Sequence, residues 1–436
     1  MATGIPKTKQ KDLNTLTLRS FEKFNQVPSS TTRLEISYPG KTEESIILEK
    51  QELLFYDISS EEVSKHSTLL DNSFCLCDNF YGLHGLINSN KKATLIYMDP
   101  PYATGMDFIS KELESAYKDH MDEAEYLEYL RRRLILSREV LSDDGSIYLH
   151  IGHQMVSHVK LIMDEVFGKS NFRNIITRRK CSSKNYTKKQ YANINDFVLF
   201  YSKNDNYKWS QPGVTPDKEW IEKEYNKSDD RGLYKLVPIH APGVRNGATG
   251  KEWKGMLPPP GKHWQYTPET LDELDASGMM HWSKNGNPRK KVYLTKDKKI
   301  PLTDYWQNYR DAHHQSVMIT GYPTEKNLDM LKMIVSASSE PGDLVLDPFC
   351  GSGTTLHAAR DLGRRWIGMD QSITAAKSTI KRMNSGMEKM GDYVTRKNKE
   401  PATGSLFENE IIKTKLLIDS HNDNLNEIIK KIRSIS

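Results

Sequence analysis

Two apolar runs, each ending in a short loop of unusual composition, constrain this chain more than anything else in it. Residues 93–98 (ATLIYM) lead into Asp99-Pro100-Pro101-Tyr102, and residues 343–347 (DLVLD) lead, after Pro348, into Phe349-Cys350-Gly351-Ser352-Gly353. Short continuous apolar runs bounded by turn residues read as strands buried inside a sheet. Proline makes up about 5% of residues, so an acid followed by two prolines and an aromatic is rare by chance. Gly-x-Gly alone is weaker evidence, because any strand-to-helix turn can call for a residue at positive φ. The two loops in one chain are far more specific than either.

Around these runs, strand-like and helix-like segments alternate. The pattern predicts a strand at 74–78, a helix at 79–87, the strand at 93–98, a helix over 123–141 with Tyr126, Leu127, Leu130, Leu134 and Val140 at helical spacing, and a strand at 146–151. A helix at 156–167 and strands at 172–177 and 197–201 complete a first half, 73–202. The second half, 321–390, carries a helix to 336, the strand 344–346, the glycine loop, a helix at 355–362, a strand at 366–369 and a helix at 372–383. Such alternation specifies an α/β fold with a doubly wound, mostly parallel sheet. Three segments stand apart. Residues 1–72 read as an N-terminal arm or small subdomain, and 203–320 as a Pro-, Gly-, Trp- and Lys-rich insertion. Residues 391–436 read as a helical tail, with Leu417, Leu425, Ile428, Ile429 and Ile432 at near-helical spacing.

Charge marks the insertion. The chain carries +5 overall, yet residues 171–320 hold 26 Lys and Arg against 16 Asp and Glu, leaving the remainder acidic. A basic middle segment is what a polyanion-binding insert would look like. With 37% hydrophobic residues the chain can bury a core, but its longest apolar runs are six to eight residues, too short to span a bilayer. The first residues lack the apolar stretch of a signal peptide, so a cytoplasmic protein without membrane contact is expected. Cys75, Cys77, Cys181 and Cys350 form neither a CxxC pair nor a disulfide framework, and the adjacent His313-His314 has no ligand cluster around it; no metal is expected.

Ligands of doubly wound sheets bind beyond the carboxyl ends of the strands, where the pattern places both loops. Glycines there let the backbone approach a nucleotide cofactor, and free N–H groups at Thr354-Thr355 suit a carboxylate. Asp370, 17 residues after Gly353, lies near the spacing at which an acid reaches ribose hydroxyls; the lesser alternative is a helix N-cap with Gln371 and Ser372 in the first turn. The departure from G-x-G-x-x-G disfavours a nicotinamide cofactor. At the other loop, the Asp99 carboxylate and the Pro100 carbonyl offer two acceptors to an exocyclic NH2, favouring a pyramidal nitrogen whose lone pair can attack an activated methyl. The prolines rigidify the loop, and Tyr102 can stack on a base drawn out of a helix. His150 and His153 follow a strand and need no proton-transfer role.

The residues 95–105 (LIYMDPPYATG) and 345–355 (VLDPFCGSGTT) resemble motifs IV and I of the amino-methylating DNA methyltransferases. Residues 322–326 (YPTEK) resemble motif X, 363–370 (GRRWIGMD) motif II, and Asp78-Asn79 the motif III acid. The DPPY motif comes first and the glycine motif about 250 residues later, the order of the permuted β class, which includes the modification subunits of type III restriction systems. Asn327 departs from the proline that usually follows the lysine.

The resemblance implies a Rossmann-like methyltransferase sheet with circularly permuted motif order, S-adenosylmethionine as methyl donor, and N6 of a flipped adenine in double-stranded DNA as acceptor. By family position Asp78, Lys326, Asp347, Phe349, Gly351, Gly353, Thr354 and Asp370 would surround the cofactor. Asp99, Pro100, Pro101 and Tyr102 would hold the target base. The insertion would be the target-recognition domain, with Arg245, Lys254, Arg289, Lys290 and Lys291 contacting phosphates or base edges and most of Trp209, Trp220, Trp253, Trp264 and Trp282 in its core. DNA binding would place the protein at the nucleoid, and a homodimer or a restriction subunit are the partners the family allows. Cytosine-N4 methylation is the alternative chemistry, favoured in the family by Ser at the first motif position. A recognition and modification subunit of a larger restriction complex is the alternative role; the chain has no helicase P-loop of its own.

Overall fold

The computed structural model describes residues 35–59, 63–101, 122–181, 191–311, 325–385 and 414–419, with a few short stretches between them. Tyr102, residues 322–324, His313-His314 and residues 420–436 lie outside the described residues. The chain divides into two compact units, one formed by Met1–Ser210 with Asp304–Ser436 and the other by Gln211–Thr303.

The first unit is built on an eleven-stranded sheet. In chain order its strands are β1 (Phe55–Asp57), β2 (Ser64–His66), β3 (Ser73–Leu76), β4 (Ala93–Met98), β5 (Leu141–Ile151), β6 (Phe172–Arg179), β7 (Asn195–Ser202), β8 (Tyr305–Trp306), β9 (Leu344–Asp347), β10 (Arg365–Asp370) and β11 (Lys415–Asp419). The spatial order is β8-β6-β7-β5-β4-β9-β10-β3-β11-β1-β2. The six central strands, β5 to β11 in that order, run parallel, while β7 and β1 join their neighbours antiparallel. β4 and β9, the two runs that stand out in the sequence, are therefore adjacent at the centre, with Val345 opposite Leu95 and Leu346 opposite Ile96. Buried at every position, they read as apolar without alternation because helices cover both faces.

Helices α1 (Asn79–Asn88), α2 (Glu123–Val140) and α3 (Val156–Phe167) pack on one another and on the sheet, burying Leu83, Leu86, Leu130, Leu134, Val159 and Ile162 with Ile96, Met98, Leu344 and Leu346. Each such side chain contributes about 1.5–3 kcal/mol relative to exposure. Helices α4 (Leu328–Ser338), α5 (Thr354–Asp361) and α6 (Ile373–Ser385) form the second helical layer, with Met330, Ile334, Leu356 and Ala375 buried. Local chemistry sets the starts. Asp122 accepts from the Glu125 N–H at 2.8 Å in a capping box that opens α2, and Asn327 accepts from the Met330 N–H at 3.0 Å to open α4. That cap accounts for asparagine where the family pattern has proline.

Three expectations need correction. The N-terminal 1–72 is not a separate subdomain where it is described: Phe55 and Leu69 are fully buried in the main core, and Tyr38 and Lys41 are held by Glu128 and Glu165 at 2.9 Å. The described part of the tail is not helical. Residues Lys415–Asp419 are a strand inserted between β3 and β1, burying Leu416, Leu417 and Ile418, because the open edges there satisfy more backbone than an isolated helical turn could. The insertion is shorter than 203–320: its flanks return to the first unit, where Trp209 stacks on Phe200 and β8 pairs with β6.

The second unit, Gln211–Thr303, has a four-stranded antiparallel sheet of Lys227–Asp229, Gly232–Pro238, Pro288–Tyr293 and Met280–Trp282 in that order. Its core is small: Ile239, Trp253, Trp264, Leu271 and Met280. The two buried indoles donate to Asp272 and to the Lys251 carbonyl, both at 2.9 Å. No helix among the described residues is long and apolar enough to cross a membrane.

Candidate active site

Four acids stand along one edge of the central sheet. Asp99 follows β4, Asp347 ends β9, Asp370 ends β10, and Asp78 follows β3, so four adjacent parallel strands each deliver a carboxylate at their carboxyl ends. Between them runs the glycine loop. Gly351 and Gly353 have φ of 48° and 73°, values that favour glycine, and the Gly353 N–H donates to the Cys350 carbonyl at 2.8 Å. A side chain at Gly353 would also place its Cβ 2.7 Å from Thr379 Oγ1. Asp370 accepts from the Gly351 N–H at 3.0 Å and the Ser372 N–H at 2.9 Å, so it both fastens the loop and starts the turn into α6. Burial pushes Asp370 above the ordinary carboxylate range against those backbone donors, and pushes Asp347 up to about 7 against hydrogen bonds from Thr355 and the Phe349 N–H. Thr354 is buried at the first position of α5.

Asp99 and Lys326 meet. Lys326 Nζ lies 2.7 Å from Asp99 Oδ2, bringing together two residues more than two hundred positions apart. Lys326 is placed by its neighbour: Glu325, 2% exposed, is paired with the fully buried Arg382 of α6, which also reaches Ser352 Oγ at 3.4 Å. Pro100 is buried and Pro101 half-buried.

The α2 face adds residues that the sequence reading did not single out. Arg133 pairs with Asp78 at 2.7 Å, donates to Asn79, and stacks its guanidinium on the Tyr129 ring at 3.5 Å. Asn79 in turn donates to the Pro348 carbonyl at 2.7 Å, and Tyr129 lies 6.3 Å from the Phe349 ring. Asp78, Phe349 and the start of the glycine loop are thus fastened to one helix. Tyr129 and Arg133 stand four apart on α2, a spacing that only the fold connects to the loop. His150, expected from the sequence to follow a strand and to need no proton-transfer role, lies within β5 and is fully buried.

In the second unit the basic candidates divide. Lys254 is paired with Asp275, Lys291 with Asp229 at 2.9 Å, and Lys290 donates to the Tyr266 hydroxyl at 3.0 Å. Arg245 and Arg289 are exposed. The unit has 16 Lys and Arg against 12 Asp and Glu, so much of the basic excess of 171–320 lies in its flanks. Trp253 and Trp264 are core, whereas Trp282 and Trp209 are 36% and 44% exposed.

Comparison with known proteins agrees with this geometry. Residues 93–381 match the family described as DNA methylase (N6_N4_Mtase). The chain is similar to the type II methyltransferase M.EcaI of Enterobacter cloacae, 60% identical over 375 residues, covering 86% of this chain and 83% of that protein. It is 29% identical over 379 residues to the type II methyltransferase M.KpnI of Klebsiella pneumoniae, covering 77% of this chain and 89% of that one. The Mod subunit of the type III restriction-modification enzyme StyLTI from Salmonella typhimurium is 27% identical over 350 residues, spanning 68% of this chain and 52% of that subunit. A glycine loop after a central strand, a DPPY strand beside it and these relatives lead to one conclusion: the chain belongs to the DNA methylase family, the S-adenosylmethionine-dependent, site-specific DNA methyltransferases.

Proposed function

We propose that this protein methylates N6 of adenine, turned out of double-stranded DNA into the carboxyl edge of the sheet beside Asp99. The observation that carries the reading is the placement of Asp99-Pro100 at the end of β4, one strand from the glycine loop after β9. Asp99, rather than the serine more frequent in cytosine-N4 members, favours adenine.

S-adenosylmethionine, when bound, supplies a methyl group made electrophilic by its sulfonium. The residues fit such a molecule: buried Asp347 and half-buried Asp370 suit its cationic and hydroxyl groups, positive-φ glycines leave room for close backbone approach, and the helix α5 N-terminus suits a carboxylate. Asp78, fixed by Arg133, and Phe349, beside Tyr129, complete that lining, and Lys326 holds Asp99 from the cofactor side. Asp99 and the Pro100 carbonyl accept from the amine and orient its lone pair, while Pro101 stiffens the loop and Tyr102 stacks on the base. Orientation rather than strong basicity drives the step.

The second unit is the target-recognition domain, with Arg245 and Arg289 contacting DNA and Lys254, Lys290 and Lys291 bracing its surface. The enzyme acts at the nucleoid as the modifying half of a restriction-modification pair. Asp99→Ala is expected to slow single-turnover methyl transfer by about 10²-fold or more while cofactor affinity stays near that of the parent. Digestion of the methylated DNA and mass spectrometry of its nucleosides distinguishes N6-methyladenine from N4-methylcytosine; the latter product, or full activity of the variant, contradicts the proposal.

A further inference from the structure

Behind Asp99 lies a fully buried histidine to which the mechanism above gives no task. His150 turns its Nδ1 edge to the Tyr97 hydroxyl at 2.9 Å and to Asp99 Oδ1 at 3.9 Å, and its Nε2 edge to Asp196 Oδ2 at 3.6 Å. These groups come from neighbouring strands: Tyr97 and Asp99 from β4 and its end, His150 from β5, Asp196 from β7. Arg178 of β6 stands 3.8 Å beyond Asp196, and Lys326 reaches Asp99 from the opposite side. Lys180 also pairs with Asp196, at 2.8 Å. Buried ionisable groups are costly, and an apolar residue would fill a central strand at lower cost, so a line of them ending on Asp99 points to function.

We propose that His150 is a positioning residue for methyl transfer, acting through Asp99: as a neutral base it leaves the carboxylate aimed at the target amine and takes up the proton that the amine sheds. The inference rests on the assignment of Asp99 to that amine. In the step, the nitrogen lone pair forms the bond to the methyl carbon, the carbon–sulfur bond breaks with its electron pair left on sulfur, and the nitrogen becomes cationic. Its proton passes to Asp99 and from there, by way of the Tyr97 hydroxyl hydrogen-bonded to Nδ1 at 2.9 Å, to His150, whose imidazolium is flanked by Asp99 and Asp196 and returns the proton along the same path once the product leaves. Burial, and then the charge of Lys326, hold His150 below its ordinary 6.5, while Asp196 and Asp99 push upward and Arg178 downward. At neutral pH the ring is therefore the neutral base that the step needs. As pH falls through that lowered value, the ring becomes cationic beside Lys326 and competes with the amine for Asp99.

Single-turnover methylation at saturating cofactor and DNA, measured from about pH 5 to pH 9, tests this in the full-length parent, H150N, D196N and D99N. The parent is expected to lose rate on an acidic limb below about 6.5. H150N should be slowed about 10²-fold and lack that limb, with cofactor affinity and thermal unfolding unchanged. D196N should move the limb to lower pH, because an anion favouring the imidazolium is gone. A uniformly slowed H150N with the limb intact would mean a purely structural histidine and overturn the inference. If H150N does not fold, D196N decides, and a limb that stays or moves upward overturns it. D99N at near-parental rate would remove the underlying assignment of Asp99, whereas inactive D99N beside a wild-type H150N profile refutes the role of His150 alone.

Discussion

Asp347 and Asp370 end neighbouring strands, and each is buried enough to be pushed above the ordinary carboxylate range. For Asp347 the direction has a consequence in solution. With a folded-state value of about 7, it is protonated below neutrality and ionised above, and a cationic cofactor favours the ionised form. Cofactor affinity is therefore expected to weaken as pH falls through 7, approaching about ten-fold per pH unit; titration calorimetry at several pH values checks this, and a flat profile contradicts it. Gly353→Val should act on the same pocket. Positive φ at that position costs about 1–3 kcal/mol for a side-chain-bearing residue, and the Cβ meets Thr379, so cofactor binding is expected to weaken about ten-fold or more in the same assay. At this scale the candidate site is legible in the sequence where its residues are contiguous, as at Asp99-Pro100-Pro101 and Gly351-Ser352-Gly353. The sequence is silent where partners come from separate elements: nothing local announces that Arg133 holds Asp78, or that His150 faces both Asp99 and Asp196.

Among the elements, the segment before α4 is fastened by one buried pair. Glu325 and Arg382 lie at 2% and 0% exposure, and removing one partner strands the other. Glu325→Ala should cost about 3–5 kcal/mol in denaturant unfolding and displace Lys326 from Asp99, whereas Glu325→Ala with Arg382→Met should recover part of the loss. A loss below about 1 kcal/mol in the single variant would show that the pair does not anchor the segment. The central strands other than β11, and α1 to α6, fall within about five residues of their sequence pattern, because buried parallel strands and amphipathic helices have distinct periods. The tail does not, since a five-residue strand such as Lys415–Asp419 is too short to show alternation against the Ile and Leu that follow it. Truncation before Lys415 should lower thermal stability markedly, because Leu417 sits in the main core and the edges of β3 and β1 would be exposed.

For the whole molecule, the first unit carries the candidate active site and the second has its own sheet and tryptophan core; the division of labour proposed above gives recognition to the second. Arg245→Ala with Arg289→Ala is expected to weaken DNA binding and lower its salt dependence by about two counterions, leaving cofactor affinity unchanged. An unaltered salt slope would remove both arginines from the interface. The existence of an insertion was visible in its loss of alternation and its basic balance, but not its limits, because Lys208, Trp209 and Tyr305 resemble the insert in composition while packing with the first unit. Recognition by side chains on irregular loops follows no transferable sequence code, so the target sequence must be measured. The most direct measurement is to express the protein and its Asp99→Ala variant in a host lacking DNA methylation, and to sequence genomic DNA by a method that detects modified bases. N6-methyladenine confined to one recurring sequence, and absent with the variant, is the predicted result; N4-methylcytosine, or a mark that persists without Asp99, would contradict it.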